Sequence, residues 1–165
     1  MLFTYLFTVN IALIRNQKPV LGIVYAPVFD KYWYGSEEGS FVINNGETKK
    51  ITVNNKFNDE IKVVASRSHS SPLLKKFLES FNNYKLVSMG SSIKICLVAE
   101  GEADIYPRLA PTMEWDTAAA HAVLKFAGGN LVDISTQLEM LYNRENLKNS
   151  HFIANSKMDL KTLIK

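Results

Sequence analysis

A single cysteine, Cys96, stands among the 165 residues, so the chain closes no disulfide on itself and depends on no oxidising compartment. A cytoplasmic setting is expected, with peripheral attachment at the inner membrane as the variant of it. Charge of one sign is scarce too. The 19 basic and 16 acidic side chains leave a formal +3 that is scattered along the chain, too little to neutralise the phosphates of a nucleic-acid polymer. No G-x-S-x-G elbow, Walker-type loop, C-x-x-C pair or G-x-G-x-x-G run occurs. Covalent, nucleoside-triphosphate and redox chemistries therefore lose their usual signatures. The charge-free stretch from Met1 to Ile14 lacks a basic n-region and a small-residue cleavage site, and it is shorter than the ~20 residues of a spanning helix. It is expected to form a buried strand.

What is present suits a folded domain. The chain is 47% hydrophobic and 21% charged, the balance of an ordinary soluble globule, and at this length ~70% of the unfolded surface is buried on folding. No repeat, low-complexity tract or linker interrupts it, so residues 1–165 are read as one domain.

The first part reads as a sheet. Val9 to Ile14 and Val20 to Ala26 are apolar, β-branched runs joined by a polar connection of hairpin length, and they are expected to pair antiparallel. Lys31 to Tyr34 and Ser40 to Ile43 follow as short strands between turns at Gly35, Gly39 and Asn44-Asn45-Gly46. Beyond the polar stretch Asn54 to Glu60, strands alternate with helices. Strands are expected at Ile61 to Ala65, Leu86 to Ser88, Ala103 to Tyr106 and Leu131 to Ile134. Helices are expected after Ser71-Pro72, over Ser91 to Glu100 and over Asp116 to Phe126. That alternation predicts a layered α/β unit. Leu138 to Asn149 reads as loop, and a terminal helix is expected near Met158 to Lys165.

Asp116 opens an alanine-rich helix, where backbone N–H groups and the helix dipole favour an anion and a hard cation can join a carboxylate to a phosphate. A plain helix cap is the alternative. Gly90-Ser91-Ser92-Ile93-Lys94 opens another helix after a strand, offering donors, hydroxyls and an ammonium to a phosphate, or a solvated lysine after ordinary capping serines. Arg108 follows a strand and either holds a phosphate bidentately or faces water. Ser66-Arg67-Ser68-His69 lies at a strand's carboxyl end, where α/β sheets hold ligands, although any polar loop looks the same. His121 and Cys96 read as structural.

Taken in order, Phe7-Thr8-Val9-Asn10-Ile11-Ala12-Leu13-Ile14, Gly22-Ile23-Val24-Tyr25-Ala26-Pro27, Ser66-Arg67-Ser68-His69, Gly90 to Gly101 and Trp115-Asp116-Thr117-Ala118-Ala119 resemble the CysQ-type 3'(2'),5'-bisphosphate nucleotidases of the inositol monophosphatase superfamily. The resemblance runs from about Phe7 to Ile153 and implies a layered α-β-α-β sugar-phosphatase fold, of which this chain is the C-terminal portion. It implies removal of the 3'-phosphate from 3'-phosphoadenosine 5'-phosphate with Mg2+ as cofactor, inositol monophosphate and fructose bisphosphate being the superfamily's other substrates. By matching positions, Asp116 corresponds to a metal-binding aspartate, and His69, Ser91, Lys94 and Arg108 to residues that hold the nucleotide. Ser91, Lys94 and Arg108 suit its non-scissile phosphate.

The departures bear on activity. A metal-binding glutamate and an Asp-Pro-Leu-Asp-Gly-Thr block of the family are absent here, Met1 to Leu6 does not match what should precede Phe7, and Ala120 replaces a common glycine. The expectation is a truncated chain that is inactive alone. It would act as a nucleotide-binding module, pair with an N-terminal half fragment or form a homo-oligomer.

Overall fold

The computed structural model describes residues 6–56, 60–65 and 71–157. The loop holding His69 and the expected terminal helix lie outside the described residues. The two leading apolar runs pair as expected: β1 (Val9–Arg15) and β2 (Lys18–Ala26) run antiparallel. They turn over Asn16 and Gln17 at φ 49 and 62, the positive-φ pair that suits a tight hairpin. β3 (Lys31–Ser36), β4 (Gly39–Asn44) and β5 (Glu47–Ile51) extend the meander into a five-stranded sheet in sequence order. β5 was not anticipated, because Glu47 to Lys50 is polar and exposed and has no apolar alternation to mark it.

The expectation of a buried first strand is corrected. β1 is an edge strand whose side chains alternate between exposed and half-buried. Val9, Ile11 and Leu13 turn outward at 47, 60 and 52% exposure, so the apolar run signals a face that this part of the fold leaves open.

The rest of the chain forms β6 (Ile61–Ala65), α1 (Pro72–Leu78), β7 (Tyr84–Ser88), α2 (Ile93–Ala99), β8 (Ile105–Arg108), β9 (Thr112–Met113), α3 (Glu114–Phe126), β10 (Asn130–Asp133), β11 (Lys148–Asn149) and β12 (Phe152–Asn155). A second five-stranded sheet has the order β10-β12-β8-β6-β7, with β6 parallel to β7 and β8, and β12 antiparallel to β8 and β10. β9 and β11 make a short separate ribbon, so the 138–149 segment is not wholly loop. Arg108 is the last residue of β8 rather than a residue beyond it, and α3 begins two residues before Asp116. β12, fully buried, lies inside the second sheet between β10 and β8. Its four residues carry too short an apolar run to stand out after a polar loop.

The layers follow from which faces are apolar. α2 and α3 lie between the two sheets: Val24, Ala26 and Trp33 of the first sheet join Cys96, Ala119, Val123, Tyr106 and Phe152 in one core. α1 covers the outer face of the second sheet, where Leu78 and Phe81 meet Val63, Ile105 and Ile153. Ser71 caps α1 by accepting the Leu74 N–H at 3.1 Å, and Pro72 occupies its first turn. The sheet–helix–sheet–helix stack is the layered α/β arrangement expected from the sequence.

α3 is apolar on nearly every side, as a helix enclosed by two sheets must be. Its alanines let it approach the first sheet closely. A Cβ built on Gly22 would stand 2.2 Å from the Ala119 carbonyl oxygen, and one on Gly35 would stand 2.7 Å from Val123 Cα. The Ser40 hydroxyl donates to the Val123 carbonyl at 2.6 Å across the same contact. His121, 1% exposed, bonds the Tyr142 hydroxyl through Nδ1 at 2.9 Å, and burial holds its pKa down at about 3. Burial raises the Cys96 thiol well above its ordinary range, which leaves it protonated and unreactive.

Gly22→Ala is expected to destabilise the fold by roughly 1–3 kcal/mol or more, since backbone rather than a side-chain tip blocks the added methyl. Urea unfolding checks this: a midpoint equal to that of the parent chain would mean that α3 is not held against β2 as described.

Candidate functional site

The cavity that gathers most of the sequence-singled residues opens where α2, β8 and the start of α3 converge. It encloses about 250 Å³, and its walls include Asn10, Ser91, Lys94, Tyr106, Arg108 and Asp116. Ser91, Lys94, Arg108 and Asp116 are thus brought together, whereas His69 lies outside the described residues.

Lys94 is only 6% exposed, which removes the reading of a solvated surface lysine. Its ammonium donates to the Ser91 carbonyl at 2.8 Å and lies 5.4 Å from the centre of the Tyr106 ring. Burial first, and then repulsion from Arg108, lowers its pKa to about 8. Burial also pushes the Tyr106 phenol up to about 12, so it stays neutral beside the two cations. Arg108 donates through one terminal nitrogen to the Pro111 carbonyl at 3.2 Å, and its buried Nε–H finds no acceptor among the described residues. An unmet guanidinium donor beside a desolvated ammonium is an arrangement that an anion completes.

Asp116 sits at the third position of α3, where one carboxylate oxygen accepts the Met113 N–H at 2.8 Å. Capping and cavity-lining therefore coexist in one side chain. It is the one carboxylate among the lining residues. Among the described residues no three His, Cys, Asp or Glu side chains come together to hold a metal ion. The described residues therefore do not build a magnesium site by themselves, and no reaction step can be derived through one.

The residues that aim this end of α3 were missed in the sequence. Glu114, 7% exposed, accepts from the Asn143 N–H at 2.8 Å and from Arg144 Nε at 2.9 Å, tying the following loop to the helix start. The Asn149 amide donates to Met113 O at 2.8 Å and to the Thr117 hydroxyl at 3.0 Å. Thr8 and Asn10, named above only within the stretch Phe7 to Ile14 that carries the resemblance and given no role at the site, reach Ser91 and Ser92. Their available signal was polar side chains two residues apart at the start of an apolar strand, which share one face.

α/β layers enclosing a cation-lined cavity at the mouth of the central helix define a sugar-phosphatase class of fold. An inositol monophosphatase from Anabaena superposes with a TM-score of 0.70 over 90% of this chain and 61% of its own, at 20% identity, a likeness of fold alone. The chain belongs to the inositol monophosphatase family, whose model matches residues 4–165. It is similar to the CysQ 3'(2'),5'-bisphosphate nucleotidase of Salmonella typhimurium, with 46% identity over 127 residues, 77% of this chain and 51% of the relative. The corresponding protein of Haemophilus influenzae is 34% identical over 150 residues, covering 89% of this chain and 56% of its own. The crystal structure of CysQ from Bacteroides thetaiotaomicron gives a TM-score of 0.84 at 37% identity, over 92% of this chain and 63% of that one. The chain spans about half the length of the curated relatives it matches. No described helix is long and apolar enough to cross a membrane.

Lys94 makes a pH signature. Its folded pKa of about 8 lies below its ordinary 10.5, so between those values the unfolded chain holds a proton there that the folded chain has released. Stability then rises with pH across that window, and the penalty of the buried charge is fully present below it. Lys94→Met is expected to raise stability at pH 7 and to flatten the slope between pH 8 and 10.5. Parallel denaturation curves for parent and variant at every pH would contradict this.

Proposed function

We propose that the chain is the nucleotide-holding part of a 3'(2'),5'-bisphosphate nucleotidase, a phosphomonoesterase that converts 3'-phosphoadenosine 5'-phosphate and water to AMP and phosphate in the cytoplasm. The observation that carries this reading is the pairing of buried Lys94 with the unmet Arg108 donor around one carboxylate, Asp116. Two cations in one small cavity suit a phosphate that stays attached through the reaction, and the names of the Salmonella and Haemophilus relatives support a nucleotide as its bearer. Lys94, Arg108 and Ser91 are assigned to the 5'-phosphate. His69 is assigned to the nucleotide by its sequence match. Asp116 is assigned to the scissile side, where it would supply one ligand to Mg2+, an ion that when bound would polarise the phosphate and activate water. One acidic ligand is far from the oxygen shell such an ion takes. The isolated chain is therefore read as a binder with little or no turnover.

Calorimetry with adenosine 3',5'-bisphosphate tests the reading. The purified chain is expected to bind it and to lose that binding by at least tenfold on Lys94→Met or Arg108→Ala, a loss of the size found for charge-assisted hydrogen bonds. Affinity falls as pH rises through about 8, because Lys94 surrenders its charge there. No heat at millimolar ligand would end the proposal. Strong magnesium-dependent phosphate release by the chain alone would overturn the assignment of Asp116 as an insufficient ligand.

A second reading has its own support. The outward row Val9, Ile11, Leu13, Leu21 and Ile23 is a continuous apolar face on the edge hairpin, the kind of surface that receives another polypeptide. We assign to it an N-terminal half fragment, equivalent to what the relatives carry beyond the matched region. A mixture with the N-terminal half of the Salmonella relative is expected to run as a one-to-one complex by light scattering, and Ile11→Lys to prevent it. Separate elution of the two would dismiss this partner.

A further inference from the structure

Among the described residues Lys94 is the one buried lysine and the one lysine on the wall of the cavity. The groups that its ammonium meets all line that cavity: it donates to the Ser91 carbonyl, stands over the Tyr106 ring and feels the charge of Arg108. One of its three protons goes to the carbonyl, and no other acceptor holds the nitrogen among the described residues. Arg108, on the same wall, keeps a buried Nε–H without an acceptor.

This placement gives Lys94 a chemistry that the outer lysines lack. An amine attacks a carbonyl only as the free base, and a nitrogen in a desolvated wall beside a second cation sheds its proton more readily than one in water. With a pKa of about 8, roughly a tenth of Lys94 is free base at pH 7. The unmet Arg108 donor offers a hold for an anionic leaving group. A reagent that carries an electrophilic carbonyl and a phosphate together is thus matched at both ends, and a cavity of about 250 Å³ admits only small ones.

We propose that Lys94 is a modification site, acylated by small acyl phosphates while Arg108 holds the phosphate that departs. The inference rests on the reading of the cavity as the place of a phosphate, and it adds a regulation of that place. The lone pair of the free amine forms a bond to the acyl carbon. The acyl C–O bond to phosphate breaks, inorganic phosphate leaves with that electron pair, and the nitrogen releases one proton to water. The product is an uncharged amide, so the cavity loses one of its two cations and with it much of its hold on the nucleotide.

The test incubates the purified chain with acetyl phosphate and follows each lysine by peptide mass spectrometry. Lys94 is expected to be acetylated roughly tenfold faster than Lys75 and Lys76, which are exposed on α1. Saturating adenosine 3',5'-bisphosphate should suppress the modification at Lys94 alone. Arg108→Ala should slow it by about tenfold, the yield of a charge-assisted hydrogen bond. With p-nitrophenyl acetate, which has no phosphate to hold, the same variant should slow it less, and that comparison separates a lost hold from a lost fold. Acetylation of Lys94 no faster than of Lys75 and Lys76, in a chain that still binds the bisphosphate, would overturn the inference and leave the nucleotide reading intact. Equal slowing of both reagents by Arg108→Ala would refute the held leaving group and the inference with it. Selective, Arg108-dependent acetylation in a chain that binds no bisphosphate would uphold the inference and end the nucleotide reading.

Discussion

The close seating of α3 against the first sheet is the constraint from which the rest of the molecule follows. Glycine at 22 and 35 on the strands, and alanine at 118, 119, 120 and 122 on the helix, bring backbone almost onto backbone. Larger side chains at these positions would move the helix outward. Ala120 is fully buried, so its methyl belongs to the core rather than to the cavity. Because α3 is fixed along its length, its first turn is fixed as well, and Asp116 inherits its position from contacts made by the remainder of the helix. Glu114 and Asn149 then hold the loop around that turn through bonds to Arg144, Asn143, Met113 and Thr117.

Against this rigid frame the cavity carries an electrostatic cost. Lys94 is charged in a place largely shielded from water, close to a second cation, and is satisfied in the described structure by a carbonyl and the face of Tyr106. A fold selected for stability alone would place an apolar side chain there. A site that destabilises the empty protein and is relieved by an anion is the usual signature of a group kept for binding.

The sequence made some of this legible and not the rest, for physical reasons. The leading hairpin, the alternation of strand and helix, the layered stack and the helix that carries Asp116 could be read because each has a period, a cap or a turn residue of its own. Strand β5 could not, being polar on both faces, and β12 could not, because four buried residues after an irregular loop carry no period. The apolar β1 run was mistaken for a buried strand because an open apolar face and a covered one look alike in sequence. At the site, the sequence singled out Ser91, Lys94, Arg108 and Asp116 one by one, and the structure brings them to one cavity. It had no means of showing that Lys94 is desolvated or that the Arg108 Nε–H is unmet, since both depend on neighbours distant along the chain. Thr8 and Asn10 were hidden for the same reason: they lie 83 and 82 residues from their partners Ser91 and Ser92.

Those long-range bonds give the edge strand a consequence beyond packing. The cavity draws on both sheets and both central helices, with β1 contributing through Asn10, α2 and the turn before it through Lys94 and Ser91, β8 through Arg108 and α3 through Asp116, while Thr8 just before β1 bonds Ser91 from behind. Among the described residues α2, β8 and α3 beyond its first turn are mostly buried, whereas β1 pairs along one edge only and exposes an apolar face. Local opening begins where few contacts oppose it, which makes β1 the element that frays first. Fraying would withdraw Thr8 and Asn10 from Ser91 and Ser92 before it disturbed Lys94, Arg108 or Asp116, leaving the anion-binding charges in place. Whatever covers the outer face of β1 therefore acts on the cavity as well: by holding the strand down it keeps Thr8 and Asn10 on Ser91 and Ser92. Order at the cavity wall and occupancy of the apolar face are thereby linked through a single strand, although the two lie on opposite sides of it.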